Sequence, residues 1–120
     1  MKKILLVDDE PNIIMSLEYT FKKNNYEVFI ARDGQEALEI LKTQIPDAII
    51  LDIMMPNVDG YATLEQIKKN HALQDCKVIF LSAKNKESDI QKGLELGASA
   101  YLTKPFSLKK LVDQVKELLE

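Results

Sequence analysis

Residues 47–60 read DAIILDIMMPNVDG. After one acid come four apolar residues, Ala48–Leu51, and the run then stops abruptly at Asp52. A short, wholly apolar run bounded by polar and turn-forming residues fits a strand covered on both faces, as strands of parallel sheets are. Pro56 and Asp59-Gly60 then turn the chain into a segment with Leu64 and Ile67 on one side, predicting a helix over Tyr61–Lys69. Asp52 is thereby read as an acid at the carboxyl end of a buried strand. Met54 and Met55 fit packing in the loop that follows.

The same grammar extends in both directions. Lys3–Val7 (KILLV), Tyr26–Ile30 (YEVFI), Lys77–Leu81 (KVIFL) and Ala100–Leu102 (AYL) also read as strands. Between them lie helical patterns. Pro11 suits a first helical turn, followed by an apolar face of Ile14, Leu17 and Phe21. Gln35–Lys42 repeats apolar residues at Ala37, Leu38 and Leu41, and Ser88–Leu96 sets Ile90 and Leu94 on one side. Leu108, Leu111, Val112, Val115, Leu118 and Leu119 give the clearest helical spacing. Asp33-Gly34, Pro46, Gly97 and Pro105 break the pattern between elements, with Gly97 suited to a helix C-terminus. Strict alternation predicts an α/β, doubly wound (βα)5 fold: a five-stranded parallel sheet of order 2-1-3-4-5, helices on both faces.

Composition narrows the class. Over 120 residues, 46% are hydrophobic and 29% charged, the balance of a folded globular domain. The whole of 1–120 reads as one domain, either standing alone or cut from a larger protein, with no second domain visible after the fifth helix. No apolar run approaches membrane length, and the stretch after Met1-Lys2-Lys3 meets acids too soon for a signal peptide. A cytoplasmic location without a membrane partner is expected. The single Cys76 excludes an internal disulfide and reads as a half-buried thiol beside a strand. With His71 as the only histidine, a zinc site is excluded as well. A net charge of −3 leaves no footprint for nucleic acid, so none is expected to bind directly; Lys84 and Lys86 read as a solvated loop.

Polar residues gather at the carboxyl ends of the predicted strands. The first ends in Asp8-Asp9-Glu10, the third in Asp52, the fourth in Ser82 and the fifth in Thr103-Lys104-Pro105. Order 2-1-3-4-5 makes strands 1 and 3 neighbours at the switch point, where ligands of such sheets bind. Each acid also has an ordinary structural reading: Asp8 and Asp9 could cap the helix near Pro11. Their convergence favours a site. Three close carboxylates stay charged only beside a compensating cation, and an all-oxygen set favours Mg²⁺ over zinc or copper. Next to Mg²⁺ and the Lys104 ammonium, a carboxylate is a nucleophile toward phosphorus, with Ser82 placed to donate to a phosphoryl oxygen.

At this point the chain resembles, over its whole length, the receiver domains of two-component response regulators, which are CheY-like and flavodoxin-like in fold. The matching stretches are ILLVDDE at 4–10, DAIILDIMMPNVDG at 47–60, VIFLSA at 78–83 and GLELGASAYLTKPF at 93–106. The resemblance implies a phosphoacceptor at Asp52, assisted by Ser82 and Lys104. It implies Asp9 as a direct metal ligand, Asp8 acting through water, and Asp52 and the Met54 carbonyl completing the protein's share of a Mg²⁺ site. Mn²⁺ is the expected substitute. Tyr101 matches an aromatic switch coupled to Ser82, and Lys104-Pro105 a bond that is cis in relatives. Implied partners are a histidine kinase or histidine phosphotransfer protein, and a downstream protein or output domain on the helix 4–strand 5–helix 5 face. A separate substrate-turning activity is not implied.

Departures and rivals sharpen that expectation. Ser99 and Ala100 stand where DNA-binding relatives commonly carry two acids, and Ile90 where they often carry arginine, against that salt-bridged dimer. An aspartyl-phosphate phosphatase would want a second acid two residues after the nucleophile, where Met54 stands. A flavin carrier would want a hydroxyl- and glycine-rich loop after strand 1, and Asp8-Asp9-Glu10-Pro11 would repel phosphate instead.

Overall fold

The computed structural model describes residues 1–120. Five strands, β1 (Lys3–Val7), β2 (Glu27–Ala31), β3 (Ala48–Leu51), β4 (Lys77–Ser82) and β5 (Ala100–Thr103), alternate with five helices. The helices are α1 (Pro11–Lys23), α2 (Gly34–Ile40), α3 (Gly60–Lys69), α4 (Glu87–Glu95) and α5 (Leu108–Leu119). The strands form one sheet of order β2-β1-β3-β4-β5, and every pair is parallel. None of the helices is long and apolar enough to cross a membrane.

Alternation along each strand divides the core in two. Leu5, Val7, Ile49, Leu51, Val78 and Phe80 face α2 and α3, meeting Ala37, Leu41, Leu64 and Ile67. Ile4, Leu6, Ala48, Ile50, Ile79 and Leu81 face the other way, onto Ile14, Leu17 and Phe21 of α1 and Leu111, Val112 and Val115 of α5. Burying one such side chain fully stabilises the fold by roughly 1.5–3 kcal/mol before entropy is counted. Most residues of both clusters are ones whose spacing predicted the helices and strands; Ile53, Met55, Leu73 and Cys76 join the first cluster from the connections between them.

Local chemistry sets where elements begin. Asp33 accepts from the Glu36 N–H (2.8 Å), Asp59 from that of Ala62 (2.9 Å) and Ser107 from that of Lys110 (3.2 Å). Each such N-cap contributes about 1 kcal/mol. β2 begins one residue later than predicted, because Asn25 adopts φ 70° and the Tyr26 N–H folds back to the Phe21 carbonyl. α2 stops at Ile40, short of the predicted Lys42, and a 3-10 turn at His71–Leu73, with no sequence signal, precedes β4. Cys76 is fully buried rather than half-buried; its thiol donates to the Pro46 carbonyl, and burial first, then Asp47 and Asp75, push it up to about 11.

α4 departs most from expectation. Leu94, read as part of its apolar face, is 42% exposed, and Gly93 is its one buried residue. Gly93 faces the ring edges of Phe80 and Tyr101, which lie 2.9 and 3.0 Å from where a Cβ would sit. The close approach of those rings replaces the aliphatic contact predicted for this helix. Gly97, at φ 110°, turns the chain out of α4 toward β5, as its position suggested.

Candidate active site

Strand register aligns the site. Val7 is paired with Leu51, and Ser82 with Thr103, so Asp8, Asp52 and Lys104 each follow an aligned strand end. Backbone bonds carry the alignment past the sheet: Asp52 N–H donates to the Val7 carbonyl (2.9 Å) and Lys104 N–H to that of Ser82 (2.9 Å). The Asp52 loop is then pressed down from α3. Gly60 N–H donates to the Ile53 carbonyl (2.9 Å), and a Cβ on Gly60 would collide with the Asp52 carbonyl oxygen. Only glycine fits at that turn.

Asp8 and Asp52 are each 3% exposed, and Ser82 is fully buried. Asp52 accepts from the Ile53 N–H (2.8 Å) and Asp8 from the Glu10 N–H (3.0 Å). The peptide bond from Lys104 to Pro105 is cis, as the resemblance implied. The Lys104 ammonium lies 2.9 Å from Asp8, 3.3 Å from Glu10 and 3.7 Å from Asp52. Burial raises the Asp52 carboxyl to about 6, and the neighbouring Asp8 charge adds to this; Lys104 and the Ile53 and Met54 N–H groups pull the other way. Burial works against the Lys104 charge, but its bond to Asp8 and the charges of Asp52, Asp8 and Glu10 leave it more basic than an ordinary lysine.

The three carboxylates whose oxygens lie within 4.8 Å of one another are Asp8, Glu10 and Asp52. Asp9 is exposed and stands outside this group. The chain bends at Asp9, and the Glu10 N–H turns back to donate to the Asp8 carboxylate (3.0 Å), which brings Glu10 round to the other two acids. Met54 is 57% exposed beside the site. A hollow of about 490 Å³, lined by Glu10, Ile13, Ala83, Lys104, Pro105 and Phe106, opens next to the Lys104 ammonium.

The two residues expected to act as a switch lie behind the acids. The Ser82 oxygen accepts from the Lys84 N–H (3.2 Å). Tyr101 is half-buried, its ring 5.8 Å from that of Phe80, and its hydroxyl donates to the Lys84 carbonyl (2.8 Å). Burial, then the Tyr61 phenol, push Tyr101 up to about 12 against the opposing pull of Ser82. Tyr61, read from sequence only as the start of a helix, joins this aromatic group through Phe80 at 5.6 Å.

A parallel sheet of this order, with buried acids at the ends of β1 and β3 and a lysine after β5, defines a phosphorylation-controlled signalling domain. The chain belongs to the response regulator receiver domain family, which it matches over residues 4–116. It is 42% identical over 118 residues to the alkaline phosphatase synthesis transcriptional regulatory protein PhoP of Bacillus subtilis, covering 98% of this chain and 48% of that protein. The chain thus spans about half the length of that curated relative. The receiver domain of the Francisella response regulator 1452 superposes with a TM-score of 0.92 at 35% identity, covering 99% of this chain and 97% of the other. Chemotaxis protein CheY4 of Vibrio cholerae gives 0.93 at 29% identity, covering 99% of each chain. Function in two-component signalling follows from this membership.

Proposed function

We propose that Asp52 is the phosphoacceptor of this receiver, and that a histidine kinase or histidine phosphotransfer protein supplies the phosphoryl group. The observation that carries the reading is a buried carboxylate, held above its ordinary pKa, beside Asp8 and within 3.7 Å of the Lys104 ammonium. An Asp52 oxygen attacks phosphorus; the bond from phosphorus to the donor's ring nitrogen breaks as the new P–O bond forms, and the electron pair leaves with the imidazole. Lys104 moves from carboxylate to phosphoryl oxygen as charge shifts there, and the Ser82 hydroxyl donates to another.

The donor set fits a hard divalent cation. It is all oxygen, and three carboxylates against one ammonium leave an excess of negative charge. Asp8 and Asp52 of that cluster, with the exposed Asp9 turning in from the same loop and the Met54 carbonyl, would hold Mg²⁺, or Mn²⁺ in its place. When bound, the ion offsets the carboxylate charge and neutralises phosphoryl oxygens. Ser82 and Tyr101 would relay phosphorylation to the face formed by α4, β5 and α5, where a downstream protein or output domain binds. A cytoplasmic site of action fits a kinase partner of this kind.

Incubation with a small acyl phosphate and Mg²⁺ tests the assignment. Wild-type protein should gain one hydroxylamine-labile phosphoryl group, and Asp52→Asn none; equal labelling of the variant would overturn it. Ser82→Ala should still be labelled, while the NMR shifts that labelling causes on α4 and β5 should shrink.

A further inference from the structure

Glu10 is 57% exposed along its side chain, yet its carboxylate reaches the Lys104 ammonium, whose side chain is largely covered. An ammonium has three N–H donors. Two of those on Lys104 are committed, to Asp8 at 2.9 Å and to Glu10 at 3.3 Å. Asp52, at 3.7 Å, is in range of the charge but beyond hydrogen-bond length. The ammonium is therefore drawn toward the β1 side of the site and away from the acceptor carboxylate. Glu10 is well placed to keep it there. Its N–H is tied to Asp8 at 3.0 Å, and Pro11 opens α1 immediately afterward, so its backbone is fixed on both sides.

We propose that Glu10 is a positioning residue for phosphoryl transfer: it holds Lys104 on the β1 side, off Asp52, in the unphosphorylated chain and, by doing so, leaves the Asp52 carboxylate more open to a divalent cation. This deepens the reading of Asp52 as phosphoacceptor and rests on it. Without the Glu10 charge the ammonium settles between Asp8 and Asp52, where it competes with the metal for Asp52 as well as for Asp8. Gln at this position keeps an acceptor oxygen and removes the charge, so it isolates the electrostatic part.

The experiment is ¹⁵N NMR of the lysine ammonium groups of the full chain, first metal-free and then during titration with Mg²⁺. Wild type is compared with Glu10→Gln, the conservative Glu10→Asp, and Glu18→Gln, whose acid pairs with Lys22 on α1. In Glu10→Gln the Lys104 resonance should shift without metal. Its Mg²⁺ dissociation constant should rise about two- to fivefold, the range of an exposed charge pair. Glu10→Asp should recover part of both effects, and Glu18→Gln should match wild type. A Lys104 resonance and a Mg²⁺ constant unchanged in Glu10→Gln would overturn the proposal. A wild type that ignores Mg²⁺ would sink the metal-assisted reading itself, while the metal-free Lys104 resonance would still decide whether Glu10 holds the ammonium.

Discussion

The Tyr61 hydroxyl donates to the Asp89 carbonyl across 3.1 Å, fastening α3 to the first turn of α4. The contact is reinforced on the same ring, where the Lys92 ammonium sits 4.3 Å from the centroid. Tyr101 makes the parallel tie from β5, donating to the Lys84 carbonyl just before α4. With Gly93 as its only buried residue, α4 depends on these two phenols more than on apolar burial. The two rings meet through Phe80, so the ties form one unit.

Tyr61→Phe removes one tie and keeps the ring. A net loss of about 1 kcal/mol is expected, typical of a hydrogen bond given up with its acceptor still able to reach water. The larger effect should be local. Amide hydrogen exchange across Glu87–Glu95 should speed up well before the rest of the chain responds. Uniform acceleration over all five helices would show that Tyr61 serves global stability alone.

Gly93→Ala tests the ring contact from the other partner. In an exposed helix interior, replacing Gly by Ala would stabilise by roughly 0.5–1 kcal/mol. Here the new methyl lands 2.9–3.0 Å from the edges of Phe80 and Tyr101, so α4 or the rings must shift. A net loss of about 1 kcal/mol is expected, the low end for an overpacked site. A rise in melting temperature would mean that the rings yield freely.

Acid should favour the metal-free fold through Asp52. Its carboxyl rises from 3.8 to about 6 on folding, so between these values the native state binds more protons than the unfolded chain. This group's contribution to stability therefore falls as pH rises from about 4 through 6. Asp52→Asn removes the penalty, and its advantage over wild type should grow across that window to roughly 3 kcal/mol at neutral pH. Urea melts in chelator at several pH values would measure it; an advantage independent of pH would contradict the argument.

Mg²⁺ should reverse the same penalty. An ion that binds only the native state stabilises it by about 2.7 kcal/mol at 100 times its dissociation constant. Thermal melting with and without chelator should show the gain in wild type and much less of it in Asp52→Asn. A wild-type melting temperature indifferent to Mg²⁺ would count against a metal at this site.

Much of this was legible before any coordinates, for identifiable reasons. Strands such as Ala48–Leu51 are apolar throughout because both their faces are covered, and Leu108–Leu119 repeats because one face alone is. Asp8, Asp52, Ser82 and Lys104 could be placed together because strand order brings consecutive carboxyl ends side by side. What escaped were contacts made by direction rather than by type. Glu10 joins the acids through the bend at Asp9, and Leu94 turns outward because a glycine takes its place against aromatic rings from other elements. Tyr61 escaped for the same reason: its hydroxyl partner is a carbonyl 28 residues away, which no local pattern encodes.

The pairing of Val7 with Leu51 has a practical consequence. A slip of β3 by one residue would carry Asp52 about 3.3 Å along the sheet and turn its side chain to the opposite face. Such a molecule would remain compact and helical by circular dichroism, yet Asp52, the proposed acceptor, would be severed from Asp8 and Lys104. Stoichiometric phosphorylation is therefore a census of correct register in a preparation, more exacting than any measure of secondary structure.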